Sequence, residues 1–264
     1  MAPDSDLSPL LDDLAAEHDA LDAVVAPLDP SGWDQPTPAA GWAVRHQISH
    51  LGFFDLRAAM AATDPAAFEA ERDAMLADPK AFDLAGEWSA LPGDELLVAW
   101  RGARRDLLAA FVGVDPRARL PWYGPPMSAR SFLTARLMET WAHGTDVADA
   151  VGAALPATDR LRHIAHLGVV TRGWSYAVRG IEAPTTEVFV SLEPPAGGEP
   201  WTWGAAASVD FVTGPALDFC HVVTQRRLVG ETALMATGGP AAEWLAIAQA
   251  FAGGATTTPP DRMS

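Results

Sequence analysis

SARSFLTARLMETWAHGTDVAD, Ser128 to Asp149, reads as one long helix. Ser128 stands where a cap belongs, since its hydroxyl can accept from the free N–H groups of a first helical turn. Phe132, Leu133, Leu137 and Val147 recur at the spacing of a buried helix face. Arg136, Glu139, His143 and Asp146 interrupt that pattern at steps of three, four and three residues, so one stripe of the helix carries all four. Glu139 and His143, one turn apart, bring a carboxylate oxygen and an imidazole nitrogen toward one point. The same spacing describes an exposed helical pair. A metal reading needs a third ligand from another helix, and His50 is the candidate.

The segments on either side extend the helical pattern. Leu7 to Leu28 repeats Leu7, Leu10, Leu14, Leu21, Val25 and Leu28 on one side, with His18 inside that stripe as a core residue. Ala43 to Ala62 is a second helix with Val44, Ile48, Leu51 and Phe54 as its apolar side, and with His46 and His50 a turn apart. Pro36 and Pro38 keep the stretch before it extended. Pro65 to Trp88 is a long connection with helical pieces. Asp94 to Val112 is a third bundle helix, whose Arg101, Arg104 and Arg105 read as a solvated face. Leu120 to Met127 is a Pro/Gly loop leading into the opening helix, and Asp159 to Val178 is a fifth helix.

After Gly180 the pattern changes. Glu187 to Glu193 alternates like a strand, Trp201 to Trp203 and Ala207 to Val212 follow, and helices are expected at Pro215 to Thr224 and Pro240 to Phe251. Arg227 to Leu234 reads as extended and the tail from Gly253 as frayed. The expected fold class is α+β: a helical bundle over residues 1–182, then a small α+β domain over 183–264.

The composition is that of a globular chain, 49% hydrophobic and 20% charged, with a formal net charge of −16. So acidic a surface argues against nucleic acid or an anionic membrane as the main partner. The start lacks the basic and apolar regions of a secretory signal, and no run reaches the length of a membrane span. One cysteine, Cys220, cannot pair within the chain. These features lead us to expect a cytoplasmic protein, monomer or homodimer, with a small-molecule substrate.

Three segments together resemble the mycothiol-dependent maleylpyruvate isomerase family, whose first domain is a DinB-like four-helix bundle. GWAVRHQISHL (Gly41 to Leu51) is similar to that family's entry into helix two. RLMETWAHGTDVADAVG (Arg136 to Gly152) is similar to its R-x-x-E-x-x-x-H-x-x-D pattern. GPALDFCHVVTQRR (Gly214 to Arg227) resembles the glycine-helix-arginine segment of its smaller, sterol-carrier-like second domain. The detailed form looks most like an uncharacterised metal-binding branch. The resemblance implies a four-helix bundle with an additional helix. It implies His50, Glu139 and His143 as zinc ligands, Arg136 and Asp146 as polar residues flanking them, and Arg226 as an arginine brought toward the substrate from the second domain. The neighbouring Arg227 competes with Arg226 for that register. His46 stands where relatives often carry Asp, as a further ligand or as a hydrogen-bonding neighbour.

Two imidazoles and a carboxylate suit zinc with an open position, and Fe²⁺, Co²⁺ or Ni²⁺ as well. The resemblance adds mycothiol, a low-molecular-weight thiol that becomes a nucleophilic thiolate at such a centre. Its addition to an electrophile followed by release isomerises a double bond, and its retention gives S-transfer. Arg226 would then pair with a substrate carboxylate. Two other readings stand beside this one: a thiol-independent hydrolase or lyase, and a non-catalytic metal- or ligand-binding protein.

Overall fold

The computed structural model describes residues 6–78, 85–250 and 254–255. The chain forms two compact units, Met1–Leu155 and Pro156–Ser264. Among the described residues no helix is long and apolar enough to cross a membrane.

The first unit contains α1 (Ser8–Val25), α2 (Val44–Thr63), α3 (Pro65–Ala77), α4 (Gly93–Phe111) and α5 (Ala129–Val151). Helix α2 packs on α4 and α5, and α1 packs on α5 and α4. These four make the bundle, and α3 folds back onto α2; the fifth helix expected at Asp159 to Val178 falls in the second unit. The core of the bundle joins Leu21 and Val25 of α1, Val44, Ile48 and Leu51 of α2, Leu96 and Trp100 of α4, and Val147 of α5. At Gly52 an added Cβ would lie 2.5 Å from the Trp88 ring, so only glycine lets that indole close over α2. Asp22 of α1 receives Arg101 through two hydrogen bonds (2.7 and 2.6 Å) and Arg104 at 2.9 Å. Arg101 and Arg104 therefore clamp α4 to α1 instead of forming a merely solvated face, while Arg105 is exposed.

Helix α5 begins as its sequence predicts: the Ser128 hydroxyl accepts from the Ser131 N–H at 3.1 Å. It ends at Gly152, whose φ of 66° is the left-handed conformation glycine adopts without a Cβ penalty. Most of its side chains are buried, which is why small residues (Ala142, Gly144, Ala148) are interleaved with the large ones along it. Just before it, β1 (Arg119–Leu120) and β2 (Met127–Ser128) pair antiparallel and close the loop between them. Sequence periodicity misses this hairpin because strands of two residues have no alternation to read.

The second unit contains α6 (Leu161–Val170), α7 (Arg172–Ala177), β3 (Val188–Glu193), β4 (Trp201–Trp203), β5 (Asp210–Pro215), α8 (Ala216–Val223), β6 (Met235–Thr237) and α9 (Gly239–Ile247). The sheet order is β4-β3-β5-β6, with β3 and β5 parallel and the outer pairs antiparallel. Val188, Val190 and Leu192 alternate inward from β3, and α8 and α9 pack on the sheet. Asp159 to Val178 is two helices, not one: Thr171, at φ −93° and ψ 12°, leaves the helical region and its hydroxyl donates to the Leu167 carbonyl at 2.7 Å. The sequence reading put the domain division after residue 182, whereas the two units part after Leu155. The difference is α6 and α7, which pack on α8 and α9. Arg227 to Leu234 contains a short 3-10 turn at Val229–Glu231, and the strand follows it. The tail from 256 onward, the residues before 6, the end expected for the last helix at 251 and the 79–84 part of the Pro65–Trp88 connection lie outside the described residues.

Candidate metal centre

His50 comes from the middle of α2, and Glu139 and His143 from adjacent turns of α5. One ligand-type atom from each lies within 4.8 Å of the others, and all three residues are partly exposed. Among the described residues this is the only such group of three. His143 Nε2 is 3.2 Å from Glu139 Oε2, and the His50 and His143 rings stand 4.6 Å apart. Two nitrogens and one carboxylate oxygen converging at this separation fit a divalent ion that keeps a further position open.

The ring of His143 is fixed from behind. Its Nδ1 donates to the side-chain oxygen of Gln47, which is fully buried. Gln47 in turn donates to the Thr37 hydroxyl at 2.8 Å, and that hydroxyl donates to the Trp42 carbonyl at 2.9 Å. With Nδ1 committed as a donor, Nε2 faces Glu139: protonated, it donates to Oε2 at 3.2 Å, and without that proton it would offer a lone pair to an ion. Nothing in the titratable-residue pattern points to Gln47. The signal available is its position three residues before His50, on the same face of α2. Gln47→Leu should weaken zinc binding about 10–100-fold by calorimetric titration while leaving the helical circular dichroism unchanged; unchanged affinity would remove Gln47 from the site.

Burial alone would raise the Glu139 carboxyl. The hydrogen bond with His143 and the charges of His143, Arg136 and His50 outweigh it and hold the group down to about 2. Glu139 is thus ionised and ready to ligate across the whole neutral range.

Arg136 takes a different place from the one its spacing suggests. Its Nε and Nη2 donate to Asp55 Oδ1 at 3.1 and 2.8 Å, and Nη2 also reaches the Leu51 carbonyl at 3.4 Å. It acts on the centre through its charge on Glu139. Asp146 lies on α5 one turn beyond His143 and is buried. His46 is outside the cluster of three: its Nδ1 accepts the Ala43 N–H at 2.8 Å and so caps the start of α2. Arg226 belongs to the second unit, just past α8, where its Nη1 donates to the Thr224 carbonyl at 2.6 Å; Arg227 Nη1 donates to the Arg226 carbonyl at 2.8 Å. Cys220 is fully buried, its Sγ 3.4 Å from the Leu161 carbonyl, and burial pushes its thiol up. His166 accepts from Trp203 Nε1 at 3.2 Å, a packing role.

The family profile of the mycothiol maleylpyruvate isomerase N-terminal domain matches residues 14–148, which include all three candidate ligands. Two uncharacterised proteins of Mycobacterium tuberculosis, from strains CDC 1551 and H37Rv, are each 48% identical over 251 residues, covering 94% of this chain and 97% of theirs. The chain is similar in fold to the crystal structure of the mycothiol-dependent maleylpyruvate isomerase, with a TM-score of 0.60 and 16% identity over 88% of this chain and 92% of that one. A histidine-to-alanine mutant of that enzyme gives a TM-score of 0.57 at 14% identity over the same shares. By the span of the profile match, the chain belongs to the mycothiol maleylpyruvate isomerase N-terminal domain family.

Proposed function

We propose that this chain is a divalent-metal-dependent enzyme, zinc being the first choice, that uses mycothiol for isomerisation or S-transfer on a small electrophile. The observation that carries the reading is the convergence of the partly exposed His50, Glu139 and His143 between α2 and α5. A bound divalent ion would supply Lewis acidity, lowering the pKa of a thiol so that its thiolate is present at neutral pH. The family supports mycothiol as that thiol. The chain itself offers no alternative sulfur nucleophile, because its one cysteine is buried and held in the thiol form.

The protein's own residues have separable roles in this reading. His50, Glu139 and His143 hold the ion, and Gln47 sets the tautomer and orientation of His143. Arg136 keeps Glu139 ionised, and Asp146 is a polar residue available one turn beyond the ligands. Arg226 would be the residue that pairs with a substrate carboxylate, as the resemblance implies. In this reading the protein works in a reducing cytoplasm as a monomer or homodimer.

Calorimetric titration of the zinc-loaded protein with mycothiol tests the proposal, run beside metal-free protein and zinc-treated His143→Ala. Binding should require metal, and His143→Ala should lose both zinc and thiol binding. A demonstrably zinc-loaded protein that ignores mycothiol would sink the thiol reading. Turnover in the rigorous absence of thiol would move the assignment to a hydrolase or lyase.

A further inference from the structure

The walls beside the three ligands are aromatic. The Trp42 ring lies 6.1 Å from that of His143 and nearly parallel to it, and 5.1 Å from His50. On the far side of His50 the Phe54 ring stands edge-on at 4.7 Å. Phe54 continues to Tyr123 at 5.6 Å and to Trp122 at 6.0 Å, and Trp122 is stacked on the buried Phe68 at 5.4 Å. The outer half of this series is therefore anchored by packing. Trp42, Phe54, Trp122 and Tyr123 nevertheless remain partly exposed, as His50 does. Three elements with no local reason to cluster (the stretch before α2, α2 itself and the β1–β2 loop) bring these rings into one series that runs through His50.

The charges here are already matched. Arg57 of α2 lies over the Phe53 ring, pairs with Glu71 and donates to the Phe53 carbonyl at 3.2 Å. Arg136 of α5 is taken by Asp55. The Tyr123 phenol, pushed up to about 12 by burial, stays neutral. Within the first unit the surface beside the ligands thus offers flat apolar faces, with the neighbouring guanidiniums engaged by carboxylates. Such a surface recognises a planar apolar group and gains little from an anionic one.

We infer that the electrophile carries an aromatic group beside its reactive carbon, and that Phe54 and Tyr123 select it. The inference rests on the proposed function for the meaning of "reactive carbon", since it names the substrate class of that same site.

Two enones of equal functional group test this: 4-phenyl-3-buten-2-one and 3-penten-2-one, which differ by a phenyl for a methyl. Equilibrium binding to the zinc-loaded full chain is measured by calorimetry without thiol, and kcat/KM is then measured with mycothiol. The aryl enone should bind at least about tenfold more tightly. Phe54→Ala should remove most of that preference. Phe54→Leu, which keeps apolar bulk and so protects the fold, should reduce it by about half or more in ratio. Equal binding of the two enones, or a preference untouched in both Phe54 variants, overturns the inference. An aryl preference lost with Phe54, but with neither enone turned over with mycothiol, upholds the binding inference and counts against the proposed function instead.

Discussion

Lowering the pH of the metal-free protein from 7.5 to 4.5 should remove roughly 2.5 kcal/mol of stability through His18 alone. His18 of α1 is 1% exposed, and burial is the chief cause of its depression from the ordinary value to about 4; the charges of Arg104 and Arg136 act in the same sense, while Asp55 opposes them. Among the described residues neither ring nitrogen has a hydrogen-bond partner, and Nε2 lies 3.8 Å from Asp55 Oδ2, too far for a good one. The native state keeps the ring neutral, whereas the unfolded chain protonates it near 6.5. Between those two values the unfolded state binds more protons, so the contribution is whole above pH 6.5 and is lost as pH falls toward 4. Glu139 acts in a separate window, contributing stability that disappears only below about 4.5. Urea denaturation at pH 7.5, 5.5 and 4.5 reads the slope directly. His18→Leu should flatten it, and a variant as steep as the parent would show that other groups carry the dependence.

Asp55→Ala should cost about 3–5 kcal/mol at neutral pH, the larger of the two effects. Asp55 is fully buried and Arg136 is 3% exposed, so truncating the carboxylate strands a guanidinium in the bundle, with the Leu51 carbonyl at 3.4 Å as its remaining hydrogen-bond partner among the described residues. The penalty comes from the uncompensated charge more than from the lost attraction. Removing both charges, as Asp55→Leu with Arg136→Met, should therefore recover most of the loss. Chemical denaturation of the two single variants and the double variant closes the cycle. A cost under about 1 kcal/mol for Asp55→Ala would mean that water reaches Arg136 when the carboxylate is gone. The double variant also isolates what Arg136 does for Glu139, because its zinc affinity can be measured on a well-folded chain.

The helices of the bundle were legible because each carries a repeat long enough to reveal its period. Helix α5 supplies its own start at Ser128 and its own stop at Gly152, and its polar stripe exposes Glu139 and His143 together. The partner of Arg136 was not legible: Asp55 lies 81 residues away on another helix, and nothing local distinguishes it from any other aspartate. Gln47 escaped for a different reason. An amide has no charge to perturb and no metal preference, so its importance exists only once α2 and α5 are side by side. The break at Thr171 is not legible in the sequence: its hydroxyl donates to the Leu167 carbonyl as those of Thr134, Thr140 and Thr145 do to theirs inside the unbroken α5. The aromatic wall shares this character. Trp42, Phe54 and Tyr123 sit in three unrelated local patterns, and only the tertiary fold makes them one surface.

The pairing of α1 with α5 has a consequence for how the chain is made. Helix α1 closes against a helix synthesised roughly a hundred residues later, so the first unit is topologically slow for a mainly helical body. At about 5–20 residues per second the ribosome leaves α1 waiting for several seconds. During that interval Leu10, Leu14 and Leu21, buried in the finished protein, have no α5 to cover them.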